Sequence, residues 1–263
     1  MTPALPRSYL FVPGNRPERF DKALASGADA VIVDLEDAVP PQAKAAARAA
    51  VAAWLSPQRP VHLRINAATD PNFDDDLALC IRPGVAGLVL PKAEQAAVLA
   101  ALHARLPGLA LLPLVESAAG LAAVHALAAA PGVQRLVFGS LDLQLDLGLD
   151  ATDEELAVFR APLVVASRLA GIGKPVDGPA PAINDAPGLQ VQAARARRLG
   201  FGAKLCIHPL QVADVNAAFA ASAADAWAER VLVAAADGAA AQLDGQTIDM
   251  PLILRARALL QKR

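Results

Sequence analysis

Residues 109–148, LALLPLVESAAGLAAVHALAAAPGVQRLVFGSLDLQLDLG, place an acid near the end of each of two apolar runs. Leu111-Leu112-Pro113-Leu114-Val115 ends at Glu116, and Leu136-Val137-Phe138-Gly139 is followed shortly by Asp142. One Ala/Leu-rich segment of helical length separates them, the pattern of a strand, a crossover helix and a parallel strand. Neighbouring strand ends in such a sheet lie roughly 5 Å apart, so two carboxylates there can share one hard cation. Mg²⁺ suits that arrangement, because it takes one or two carboxylates and completes an octahedron with water and substrate oxygens. No His-x-His or Cys pair favours zinc. Either acid could instead cap the helix beside it, where negative charge is also favoured.

The elements that must position these acids recur along the chain. Strand-like runs at 8–12, 30–33, 61–66, 87–90, 111–115, 136–139, 174–178 and 203–207 are almost all followed by helical segments, including long ones at 154–170 and 188–199. Eight such units in about 250 residues predict an α/β fold, a (β/α)₈ TIM barrel. An open doubly wound sheet is the competitor. It usually needs fewer strands and a Gly-rich first turn, and no G-x-G-x-x-G occurs here. The predicted strand ends carry Asp34, Glu36 and Asp37, then Arg64 and Asn66, then Lys92, Glu116, Asp142, Asp177 and His208. Barrel enzymes build their active sites at that end of the sheet. Lys92 and Asp177 read as ion-pair partners there, and His208, just before a proline, as a packed or capping residue.

The barrel domain is predicted over 1–220, with a C-terminal helical extension over 221–263. Helical patterns run over 211–219, 224–243 and 252–261. Asp244 to Pro251 interrupts them as a surface turn, a lid or an intersubunit arm.

The chain has 263 residues, a net charge of −2 and 4% aromatic residues. This composition argues against a nucleic-acid partner or a membrane-surface patch. No apolar run reaches the roughly 18–20 residues of a membrane span. Without a basic, apolar leader at the N-terminus, the expected location is cytoplasmic. Cys80 and Cys206 read as small buried hydrophobes.

Several motifs together resemble the citrate lyase β-subunit-like CoA-ester lyases, within the superfamily that contains the HpcH/HpaI aldolases. They are RSYLFVPGN (7–15), DAVIVDLEDAV (29–39), HLRIN (62–66), LVLPKAE (88–94), LVESAAGL (114–121), FGSLDLQLDLG (138–148), PVDGP (175–179), KLCIHPLQV (204–212) and LDGQTIDMP (243–251). The resemblance covers almost the whole chain, in order. It implies a TIM barrel, commonly a homotrimer or hexamer, that uses Mg²⁺ to cleave or form a carbon–carbon bond. By motif it places the metal on Glu116 and Asp142, with Glu36 and Asp37 around the metal's waters. It also makes Arg64 the substrate-polarising arginine, and Asp249 a catalytic acid on a lid that reaches a neighbouring subunit. The lid departs from the frequent D-G-K-M, reading Asp244-Gly245-Gln246-Thr247. A proline often found after Phe219 is missing.

Chemistry suits these assignments. Arg64 presents a fixed fork of donors for developing oxygen charge, or pairs with Asp34 or Glu36. Asp249 can move a proton at the thioester's α-carbon, or cap the helix starting at Met250-Pro251. The amides of Gly139, Ser140 and Leu141, in a loop, could bind a substrate carboxylate, or form a plain turn. The expected reaction is Mg²⁺-dependent cleavage of a malyl-, citramalyl- or citryl-type β-hydroxyacyl-CoA thioester to an α-keto acid and an acyl-CoA. A thioesterase using the same pocket and a citryl-carrier-protein lyase subunit are the alternatives.

Overall fold

A computed structural model describes residues 5–220, 223–236, 242–243 and 246–260. The chain divides into two compact units, Met1–Phe219 and Ala220–Arg263.

In the first unit eight parallel strands close in chain order into a barrel. They are β1 (Ser8–Pro13), β2 (Ala30–Asp34), β3 (Val61–Arg64), β4 (Val85–Leu90), β5 (Ala110–Val115), β6 (Arg135–Phe138), β7 (Gly173–Asp177) and β8 (Ala203–Cys206). Ser8 opposite Lys204 closes the ring. Side chains alternate across each strand, so both faces must be covered. Tyr9, Ile32, Val89, Leu112, Leu114, Val137, Val176 and Leu205 fill the interior. The alternate residues, such as Leu10, Val33, Leu63, Leu88 and Leu136, belong to a second core with the helices.

The helices of the first unit are α1 (Phe20–Leu24), α2 (Lys44–Trp54), α3 (Phe73–Cys80), α4 (Ala96–Arg105), α5 (Ala118–Ala122), α6 (Val124–Ala128), α7 (Ser140–Leu147), α8 (Ala157–Ala170), α9 (Ala186–Leu199) and α10 (Val212–Ala218). Three differ from expectation. Asp74, Asp75 and Asp76 open α3, which the apolar pattern did not reveal; acids in a first turn complement the helix dipole. The single predicted helix between β5 and β6 breaks at Ala123 into α5 and α6. Residues 140–142 form the first turn of α7 rather than a loop, because the helix starts directly after Gly139.

The second unit pairs α11 (Ala223–Ala236) with α12 (Met250–Leu260). Ala228, Val231 and Ala256 are buried between them, beside Trp227 and Leu252. The predicted helix over 224–243 is too long. α11 ends at Ala236, and β9 (Gln242–Leu243) pairs antiparallel with β10 (Gln246–Thr247). Residues 237–241, with Asp244 and Gly245 of the interruption, lie outside the described residues. Among the described residues no helix is long and apolar enough to cross a membrane.

Asp177 does not join the other strand-end polar residues. Val176 faces the barrel interior, so Asp177 points outward, toward α8. There it is fully buried, 2.7 Å from Arg160 Nε and 2.6 Å from Lys204 Nζ. Arg160 continues the network to Asp153, which also holds Arg195. Removing one partner from such a cluster strands a buried charge. Asp177→Ala, measured by denaturant unfolding, is expected to cost about 3–5 kcal/mol.

Candidate active site

Strand alternation decides what the open end of the barrel contains. Ile32 faces inward, so Asp34 does too; Leu114 faces inward, and Glu116 follows it two residues on. These carboxylates share one cavity of about 380 Å³ with Arg64 from β3 and with Gly139, Ser140, Leu141 and Asp142 at the start of α7. Phe11, Leu114, Leu205 and Ile207 supply its apolar wall.

Arg64 is the organising cation. Asp34, itself buried, grips it with two hydrogen bonds: Nε donates to Oδ1 at 2.7 Å and Nη2 to Oδ2 at 2.6 Å. Nη1 lies 3.2 Å from Glu36 Oε2 and 3.5 Å from Asp37 Oδ2. The guanidinium also packs over the Phe11 ring, 4.7 Å from its centroid. Burial opposes the charge, but the three carboxylates outweigh it and raise the guanidinium's pKa. Asp34 needs the same explanation as Arg64: its carboxylate accepts from the Glu36 and Ala38 amides, so it shapes the loop carrying Glu36 and Asp37 as well. The sequence offered Asp34 as a strand-end acid and an ion-pair partner of Arg64, and that pair forms; its hold on the following loop was not legible. The signal for its inward side was its parity with Ile32.

Glu116 meets β6 without a spacer. β5 and β6 pair at Val115 and Phe138, which sets Glu116 beside Gly139. A Cβ on Gly139 would lie 2.4 Å from Glu116 Cβ and 2.7 Å from its Oε2, so only glycine leaves room for this carboxylate. The Lys92 amide donates to Glu116 Oε1 at 2.7 Å. Burial raises the Glu116 pKa to about 8; the Lys92 amide opposes this, while Asp142 and Glu36 add to it. Glu36 is raised to about 7, first by burial, against Arg64, with Asp37 and Asp34 reinforcing the shift. Its Oε2 makes no hydrogen bond of good geometry, although Arg64 Nη1 is near.

This donor set fits a hard divalent cation. Glu116 and Asp142 supply oxygens only, and a cation would offset the burial, and the repulsion from Asp142 and Glu36, that raise Glu116. Among the described residues no three His, Cys, Asp or Glu side chains form a metal cage. A two-carboxylate site completed by water and ligand oxygens is a common coordination for Mg²⁺.

Other polar residues have structural partners. The Lys92 ammonium lies 3.9 Å from Glu36 Oε1. His208 caps the turn at Pro209–Gln211, its Nδ1 accepting from the Leu210 amide at 3.2 Å. Asp249 belongs to the second unit, where its side chain accepts from the Leu252 amide at 2.9 Å and caps α12. Both cysteines are free and buried.

The raised carboxyls predict how stability depends on pH. Their folded pKa values exceed the ordinary 4.5, so the stabilisation they give is complete below about pH 4.5 and is lost as pH rises through about 7 and 8. Thermal melts in chelator should therefore fall between pH 5 and pH 8, approximately, and Glu116→Gln should flatten that slope. An unchanged slope in the variant would remove Glu116 from the account.

Residues 7–209 match the HpcH/HpaI aldolase/citrate lyase family. A citrate lyase subunit beta-like protein of Deinococcus radiodurans is 38% identical over 280 residues, covering 98% of this chain and 97% of its own. Two Cereibacter sphaeroides proteins, a (3S)-malyl-CoA thioesterase and an L-malyl-CoA/beta-methylmalyl-CoA lyase, are each 32% identical. They cover 97% and 94% of this chain, and 94% and 89% of their own. The crystal structure of CitE from Mycobacterium tuberculosis in complex with magnesium, acetoacetate and coenzyme A has a TM-score of 0.80 and 34% identity, covering 98% of both chains. The chain thus belongs to the HpcH/HpaI aldolase/citrate lyase family, a family of carbon–carbon lyases.

Proposed function

We propose that this protein is a Mg²⁺-dependent lyase that cleaves, or in reverse forms, a β-hydroxyacyl-CoA thioester of the malyl, citramalyl or citryl kind. The observation that carries this reading is the convergence of Glu116, Asp142, Arg64 and the first turn of α7 on one cavity. Glu116 and Asp142 would hold the metal, with Glu36 and Asp37 ordering its waters. Bound there, Mg²⁺ supplies Lewis-acid polarisation of the hydroxyacid's oxygens.

The chain's own groups account for the rest. The amides of Ser140 and Leu141, at the positive end of α7, bind the hydroxyacid carboxylate; the Gly139 amide, expected to join them, instead donates to the Val115 carbonyl at 2.9 Å. A base takes the hydroxyl proton, and the C–O bond becomes a carbonyl as the adjacent carbon–carbon bond breaks. The electron pair of that bond passes into the thioester as an enolate. Arg64 stabilises the oxygen charge; Asp34 occupies two of its five N–H groups and fixes the direction of the others. Asp249 then protonates the enolate carbon, from a lid that reaches the neighbouring subunit of a homotrimer or hexamer in the cytoplasm. The products are an α-keto acid and an acyl-CoA.

The malyl-CoA thioesterase among the relatives favours a second reading, hydrolysis in the same pocket. Product analysis separates the two, since hydrolysis releases the intact hydroxyacid and no keto acid. Purified protein given candidate CoA esters should release keto acid only with Mg²⁺. Glu116→Gln should abolish that turnover, and Arg64→Lys should lower kcat by about 10²–10³. Metal-independent cleavage by the Glu116 variant would overturn the reading.

A further inference from the structure

Lys92 holds a backbone conformation that its residue type resists. Its φ is 48°, and among the described residues it alone of the non-glycines has a positive φ. Glycine reaches this region freely, whereas a residue with a Cβ is strained there. The turn has a visible use. In a regular strand, successive amides point to opposite sides; here two in succession point at β5. Lys92 N donates to Glu116 Oε1 at 2.7 Å, and Ala93 N donates to Leu114 O at 3.2 Å. Glycine would serve that turn with less strain, so the lysine side chain needs its own reason. Its ammonium, on a side chain 60% exposed, lies 3.9 Å from Glu36 Oε1, while the other oxygen of Glu36 faces Arg64 Nη1 at 3.2 Å.

We infer that Lys92 is a positioning residue for this site: its backbone orients Glu116 while its ammonium holds Glu36, so that the Arg64 guanidinium is shared rather than captured. Glu36 Oε2 is already near Nη1 but makes no hydrogen bond of good geometry there; without the ammonium it is free to turn fully onto Nη1 and withdraw a donor that a substrate oxygen would use. The inference rests on the lyase reading for what Arg64 does, and on the structure for how Lys92 is built.

Three variants test it: Lys92→Gly, Lys92→Ala and Lys92→Arg. Glycine relieves the strain and alanine keeps it, so the Gly variant should melt above the Ala variant. Both should lose about tenfold in kcat/KM for the CoA ester and in calorimetric affinity for pyruvate with Mg²⁺. Arginine should restore both to within a few-fold. An equal loss of function in two variants of different stability is not what a purely structural residue gives. Wild-type turnover and pyruvate affinity in Lys92→Gly would overturn the inference and leave the lyase reading standing. A wild-type protein that binds pyruvate with Mg²⁺ but cleaves no ester, with weakened binding in Lys92→Gly, would overturn the lyase reading alone. If the wild type neither binds nor cleaves, both fall.

Discussion

Crowding of like charge at one end of a closed sheet is the constraint that everything else in the first unit serves. Asp34, Glu36 and Asp37 surround Arg64, and Glu116 with Asp142 shares its cavity. Burying this many acids around one guanidinium is unfavourable by itself, which is why Glu36 and Glu116 favour their neutral forms. The arrangement makes sense as preorganisation. A cation and an anionic substrate would complete a charge pattern that the fold has already arranged.

The scaffold must resist that repulsion, and it does so with buried polar networks behind the sheet. The Lys44 ammonium, on α2, donates to the carbonyls of Leu35 and Glu36 and to Asn66 Oδ1 at 2.6–3.1 Å. Asn66 in turn donates to Asp76 through both its backbone and its side chain. This braces the two loops that follow β2 and β3, the sources of Glu36, Asp37 and Asn66. On the opposite side of the barrel, Asp177 with Arg160 and Lys204 ties β7 and β8 to α8.

The sequence revealed the barrel because eight short apolar runs at regular spacing have few other solutions, and a parallel strand–helix–strand unit places Glu116 near Asp142. Arg64 was legible as an ion-pair partner of Asp34 and Glu36, and both contacts form. Other features were hidden for identifiable reasons. The start of α7 read as a loop because strand and helix meet at Gly139 with no polar linker. Asp177 read as a member of the barrel mouth because its side of the sheet depends on which face Val176 takes. Lys92 read as a simple ion-pair partner, since a left-handed φ at a lysine leaves no pattern in residue types. Strand β9 was hidden because Gln242 and Leu243 follow an Ala-rich run that continues the pattern of α11, whereas β10 falls in the segment read as an interruption.

The central claim is that Glu116 and Asp142 form one divalent-cation site at the barrel mouth. Titration of the chelated protein with Mn²⁺, followed by electron paramagnetic resonance, tests it directly, because Mn²⁺ accepts the same hard oxygen ligands as Mg²⁺. The account predicts one bound ion per chain, tightened by pyruvate, displaced by Mg²⁺, and lost in both Glu116→Gln and Asp142→Asn. Undiminished Mn²⁺ binding in both folded variants would contradict it.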